Sequence, residues 1–178
     1  MKSENDERRL VMRMLGHWRS LTGRSDAPRR SQIDPQKFGR DWANCVLIDL
    51  GETLEEARYA YVGRNLVDSR WPTFERQCVA DCAKGGILRF LTGEVPKVIS
   101  RRGPAIFGGL AEHEEIPVLY RAILTPISEN GIDVDGILGA ANYREFAPEQ
   151  KLTFFDDLAI DDDRHDRGNG GLMGYNGA

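Results

Sequence analysis

Apolar side chains along this chain change their spacing several times, and each change marks an element. Leu10, Val11, Met14, Leu15 and Trp18 recur at i, i+1, i+4, i+5 and i+8, which sets them on one face of a helix. Ser3 is a candidate cap, Asp6 and Glu7 suit the first turn, and Gly23 is a plausible stop. Residues 24–38 then turn irregular, with Pro28, Asp34-Pro35 and a run of basic residues. Strand patterning follows over 44–50 and 57–62, with Tyr59 and Tyr61 on one face and a turn at 51–54 between them. Residues 72–92 return to helical spacing: Phe74, Cys78 and Cys82 share one face, and Ile87, Leu88 and Leu91 another beyond Gly85-Gly86. Three more strands are expected: 96–100 continuing unevenly towards Phe107, then 117–127, then 134–143. The last two flank Asn130-Gly131, a hairpin signal.

The order is therefore two strands, a helical insert and three strands. Short connections make neighbouring strands antiparallel, because a parallel pair needs a long crossover. The pattern predicts an α+β fold: a five-stranded antiparallel sheet with helices on one face, preceded by an amphipathic helix. Three regions follow: an N-terminal helix over 1–23, a domain over 24–146, and a tail over 147–178. The tail is acidic and then Gly-rich, and is expected to be disordered, although Leu152, Phe154 and Phe155 offer a short docking segment.

Composition narrows the class without changing the fold. The chain has 178 residues, 40% hydrophobic and 29% charged, ordinary for one soluble domain with tails. A net charge of -4 argues against broad nucleic-acid or anionic-membrane binding, which need a cation surplus. The charged start lacks an apolar signal segment, and no apolar run reaches the roughly 18 residues of a span. Cys45, Cys78 and Cys82 make no even disulfide framework, which fits a reducing compartment. A cytoplasmic, bacterial-type protein with no nucleic-acid or membrane partner is expected.

Little chemistry is visible. His17, His113 and His165 fall in a helix, a loop and the tail, and no motif pairs a Ser or Cys nucleophile with a base. No catalytic residue is assigned, and the chain is not expected to be an enzyme. Cys78 and Cys82, i and i+4 on one helix face, do not close a tetrahedral metal site by themselves, so core thiols are expected and no metal ligand is assigned. Gly85-Gly86 and the tail glycines lack the Gly-Lys-Ser/Thr ending of a phosphate loop. Arg24, Arg29, Arg30 and Arg40 suit phosphate, but pairing with nearby carboxylates on a solvated loop explains them better. Arg101-Arg102 is read the same way.

Several segments together resemble a known family. Trp18-Arg19-Ser20-Leu21, then Pro28 with Ile33-Asp34-Pro35, is similar to the opening of an alphaproteobacterial family of short PAS proteins. Arg58-Tyr59 with Gly63 resembles its second-strand ending. Residues 119–128, Asn130-Gly131 and Asp135 with Leu138-Gly139-Ala140 resemble its closing strands. The resemblance covers about residues 10–146 and implies a PAS fold with helices between strands 2 and 3. It also implies regulatory roles in bacterial signalling, and dimerisation through the N-terminal helix.

The PAS reading adds candidate sites. A pocket between helices and sheet would be lined by Tyr61, Phe90 and Tyr120, whose aromatic rings equally suit core filling. The stripe Leu10, Val11, Met14, Leu15 and Trp18 must bury itself against its own sheet or in a homodimer interface, and dimer contact is the slightly favoured expectation. Haem is not expected, because residues 72–92 hold no histidine. Flavin is not expected either: Asn44-Cys45 is similar to the adduct motif of light-sensing PAS proteins but lacks Arg-Phe-Leu-Gln around it. The cofactor is therefore unknown. The expected function is a standalone sensory or regulatory module acting on an unidentified signalling protein, with a small-molecule ligand as a further partner. The alternatives are a ligand-free dimeric scaffold and, more remotely, a small α+β enzyme.

Overall fold

The structure, a computed structural model, describes residues 4–23, 27–72, 75–81 and 85–146, and side chains from Arg9 onward. The Ser3 cap, Arg24, Phe74, Cys82, His165 and the docking segment at Leu152, Phe154 and Phe155 lie outside the described residues. So does the whole 147–178 tail.

The chain runs α1 (Glu4–Thr22), α2 (Pro35–Phe38), β1 (Cys45–Asp49), β2 (Arg58–Val62), α3 (Gly86–Gly93), α4 (Val95–Arg101), β3 (Ala105–His113), β4 (Ile116–Ile127) and β5 (Gly136–Glu145). The five strands form one antiparallel sheet in the order β2-β1-β5-β4-β3, with α3 and α4 inserted between β2 and β3. This is the expected α+β architecture. Two elements differ from the sequence reading. Residues 95–101 are helix rather than strand, because Pro96 sits in the first turn, where its missing N–H is harmless, and Val95 and Val98 bury on one side. Residues 75–81 are not helical. They form turns alongside β2, hydrogen-bonded to it through Arg76, Gln77 and Val79, so Cys78 bridges Arg58 rather than standing on a helix face.

Two apolar layers sandwich the sheet. On one side α1 lies across β4 and β5, and Leu10, Val11, Met14, Leu15 and Trp18 are only 1–8% exposed. Leu10, Val11, Met14 and Leu15 meet Phe38, Cys45, Leu47, Ile123, Ile127, Leu138 and Ala140. The Trp18 indole N–H donates to the Pro126 carbonyl at 2.7 Å, pinning the helix end to β4. Gly23 takes φ +56° just beyond α1, the left-handed stop read from the sequence. On the other side α3 and α4 press Ile87, Leu88, Leu91, Val95 and Val98 against Ile48, Tyr59, Tyr120, Leu124 and Ile137.

Two glycines of the resembling motifs have packing reasons. A Cβ on Gly63 would stand 2.4 Å from the Ala43 carbonyl oxygen, where the chain leaving β2 crosses the start of β1. One on Gly139 would meet Leu124 at 2.6 Å and Val46 at 2.8 Å on the flanking strands.

Candidate functional site

Most of the space between helical insert and sheet is filled by the second layer of core. At its β1–β2 end an open groove of about 420 Å³ remains. Ile48 and Ala57 form its buried floor, Val79 and Val95 its apolar walls, and Arg89, Thr92 and Glu55 its polar rim. The groove exists because 75–81 runs along β2 instead of packing as a helix, while α3 and α4 are short and turn away after Gly93. It offers apolar contact area with polar groups at one side, the arrangement that holds and orients a small amphipathic molecule.

The three aromatic candidates are divided between the two faces. Tyr120 is buried in the insert-side core, and burial, reinforced by Glu94, pushes its hydroxyl up to about 12. Phe90 stacks on it with ring centroids 5.4 Å apart and is 40% exposed. Tyr61 does not join them. The β1–β2 register skips at Ala60, pairing Ile48 with Tyr59 but Leu47 with Tyr61. This bulge turns Tyr61 to the α1 side, whereas simple alternation keeps it beside Tyr59. There Tyr61 stacks on Trp42 at 4.6 Å and donates its hydroxyl to the Trp42 carbonyl at 3.1 Å. None of the three lines the groove.

The helix stripe is likewise relocated. Leu10, Val11, Met14, Leu15 and Trp18 are covered by the chain's own sheet, so this arrangement leaves them no surface for a partner copy. Cys45 also faces the α1 layer, where its thiol lies 3.3 Å from the Asp41 carbonyl, and burial raises its pKa far above the ordinary thiol value. Arg30 pairs with Asp49 and, at 3.8 Å, with Glu129, and Arg102 donates to the Ile132 carbonyl. Arg30 thus has the carboxylate partners expected of it, whereas the partner seen for Arg102 is a backbone carbonyl.

One polar cluster was not legible in the sequence. His113, expected in a loop, ends β3 and is buried, its ring 4.5 Å from that of Tyr143. Its Nδ1 lies 3.9 Å from Asp68 and has no hydrogen-bond partner among the described residues. Asp68 is also buried and accepts from the Arg70 guanidinium (2.8 and 3.0 Å), the Arg70 backbone N–H (3.0 Å) and the Glu114 N–H (2.8 Å). These bonds, the Arg70 side chain first, hold its carboxyl far below the usual range. Burial lowers the His113 pKa against the pull of Asp68 and Glu114. The Glu114 carboxylate in turn accepts from the Ser69 N–H at 2.6 Å and hydroxyl at 2.5 Å. The cluster ties the 68–71 turn to the β3–β4 hairpin. No local spacing signals it, since the two halves are more than 40 residues apart.

Strand order and the helical connection between the second and third strands define a PAS-like fold. Among solved structures the chain is similar to a light-oxygen-voltage domain studied with a flavin analogue, at 11% identity and TM-score 0.46, over 71% of this chain and 93% of that one. It is also similar to the light state of the blue-light photoreceptor Aureochrome1 LOV domain, at 10% identity and TM-score 0.42, over 68% and 91%. The PAS domain of Bordetella pertussis BvgS is similar at 16% identity and TM-score 0.38, over 72% and 99%. No family model and no curated protein matches the chain. With likenesses this distant, the fold assignment rests on the sheet order and the insert.

Proposed function

We propose that this chain is a PAS-type sensory module of the cytoplasm, catalysing nothing itself, that binds a small molecule in the insert-side groove and signals through protein contacts. The observation carrying this reading is the groove of about 420 Å³, with a buried apolar floor and the Arg89 and Thr92 rim. A ligand that prefers one arrangement of insert and sheet shifts the population of arrangements, and contacts elsewhere on the surface read the shift. The polar cluster is read as a structural tie between the 68–71 turn and the β3–β4 hairpin rather than as an acid–base pair. Asp68 is committed to Arg70 and Glu114, and His113 is buried 3.9 Å away from it. Among the described residues no helix is long and apolar enough to cross a membrane.

Native mass spectrometry of the protein purified from its own host tests the reading. A retained small molecule, lost on replacing Thr92 with Trp, is the expected result. A clean apo mass under gentle conditions overturns it in favour of a ligand-free interaction protein. That second reading has its own support: Tyr120 is already covered by Phe90, and the core beneath α3 is filled.

A further inference from the structure

The two edges of the sheet are finished differently. Along β2 the outer edge is covered by 76–79: the Arg76 N–H donates to Tyr59 (2.5 Å), the Tyr59 N–H to Gln77 (3.1 Å) and the Val79 N–H to Ala57 (2.8 Å). Along β3, no described residue pairs with the outer edge. That edge is nine residues long and matches β4 continuously from Ala105↔Leu124 to His113↔Ile116, without a bulge. Natural edges are guarded by Pro, Lys, bulges or shortness, because unpaired backbone groups template another strand. Strand β3 has none of these, its Glu112 carboxylate is turned to Arg70 at 2.5 Å, and Leu110 stands 45% exposed.

We propose that a second copy of this chain pairs here, β3 against β3, antiparallel about a two-fold axis at Gly109. In that register every bulky residue faces a smaller one or a polar one: Leu110 meets Gly108, Phe107 meets Ala111, and Ile106 meets Glu112. Charge follows the same symmetry. Arg101 and Arg102 precede the strand and Glu114 and Glu115 follow it, so the basic entry of one copy approaches the acidic tip of the other. The contact is isologous and closes on itself, and the covered β2 edge offers no second surface for fibre growth. This pairing deepens the contact-based output proposed above but rests on the sheet edge, independently of any ligand.

Sedimentation of the full chain tests it. The expected mass is twice 20.0 kDa. Leu110→Lys is expected to sediment at the single-chain mass with unchanged circular dichroism. A Cβ at Gly109 finds ordinary contact distances, the nearest atom being 3.5 Å away on Tyr120. Gly109→Cys is therefore expected to form a disulfide-linked dimer on oxidation, since opposed Cα atoms of paired strands lie about 4.5–5.5 Å apart. Leu110→Cys, facing Gly108, is expected not to form one. A wild-type protein that is monomeric at all concentrations overturns the proposal. So does a dimer that survives Leu110→Lys, or equal cross-linking of the two cysteines. If Leu110→Lys does not fold, the cysteine pair decides alone. Ligand retention by native mass is read separately, so either reading can fail without the other.

Discussion

The two faces of this sheet are covered by different kinds of structure. On one, a single 19-residue helix lays a continuous apolar stripe across β4 and β5 and is pinned by the Trp18–Pro126 hydrogen bond. On the other, helices of eight and seven residues and a turn-rich segment at 75–81 share the work, and a groove stays open where they part. A long helix with regular spacing seals a surface. Short pieces joined by turns leave gaps, and here the gap lies over a buried apolar floor.

The largest effect is expected from charging the sealed face. Leu15→Asp with Trp18→Asp places two carboxylates in the core, so the urea midpoint should fall by an amount equivalent to more than about 4 kcal/mol. A stable, soluble variant would show that the stripe faces a partner instead. Next comes a pair of enlargements. Ala140→Leu, beneath α1, should cost about 1–3 kcal/mol by overpacking. Thr92→Leu, on the groove rim, should stay within about 0.5 kcal/mol because it grows into open space. Equal losses would erase the distinction between the faces. Smaller again, Trp18→Phe keeps the ring but strands the Pro126 carbonyl, for about 1–2 kcal/mol in urea unfolding.

The smallest expected effect is a pH dependence at the Asp68–His113 cluster. Burial lowers the His113 pKa in the folded state, so the unfolded chain takes up a proton first as pH falls. Stability is therefore full above about pH 6.5 and declines below it. Asp68 and Glu114, both held low by hydrogen bonds, extend the decline below about pH 4. His113→Phe should shrink the upper step of the urea-midpoint profile to the part left by His17, whose pKa burial also lowers, and leave the lower step unchanged. An unchanged profile would mean that His113 titrates as it does unfolded.

Legibility in the sequence follows the same division. Helix α1 was readable from its unbroken helical spacing, and strands β1, β4 and β5 from apolar runs bounded by turn signals such as Asn130-Gly131. The insert was not: β-branched residues at 95–99 favoured a strand reading, but a proline in the first turn and burial of Val95 and Val98 made a helix. The same misreading hid where β3 begins. Tyr61 was assigned to the wrong face because the bulge at Ala60 is a property of strand pairing, invisible in one strand alone. A groove lies between insert and sheet, yet its lining, Ile48, Leu54, Glu55, Ala57, Val79, Ala80, Arg89, Thr92, Gly93 and Val95, includes none of the three aromatic candidates, because the segment at 79–80 was read as helix and the bulge at Ala60 was invisible.

Residue-resolved hydrogen exchange under native conditions tests the difference between the faces most directly. Amides of α1 between Leu10 and Trp18 should exchange only through global unfolding, with a denaturant dependence matching that of the whole domain. Amides of α3 and α4 should exchange through smaller openings of lower free energy. If α1 opens as readily as α3, or the insert is protected to the global limit, the account of one sealed face and one responsive face is contradicted.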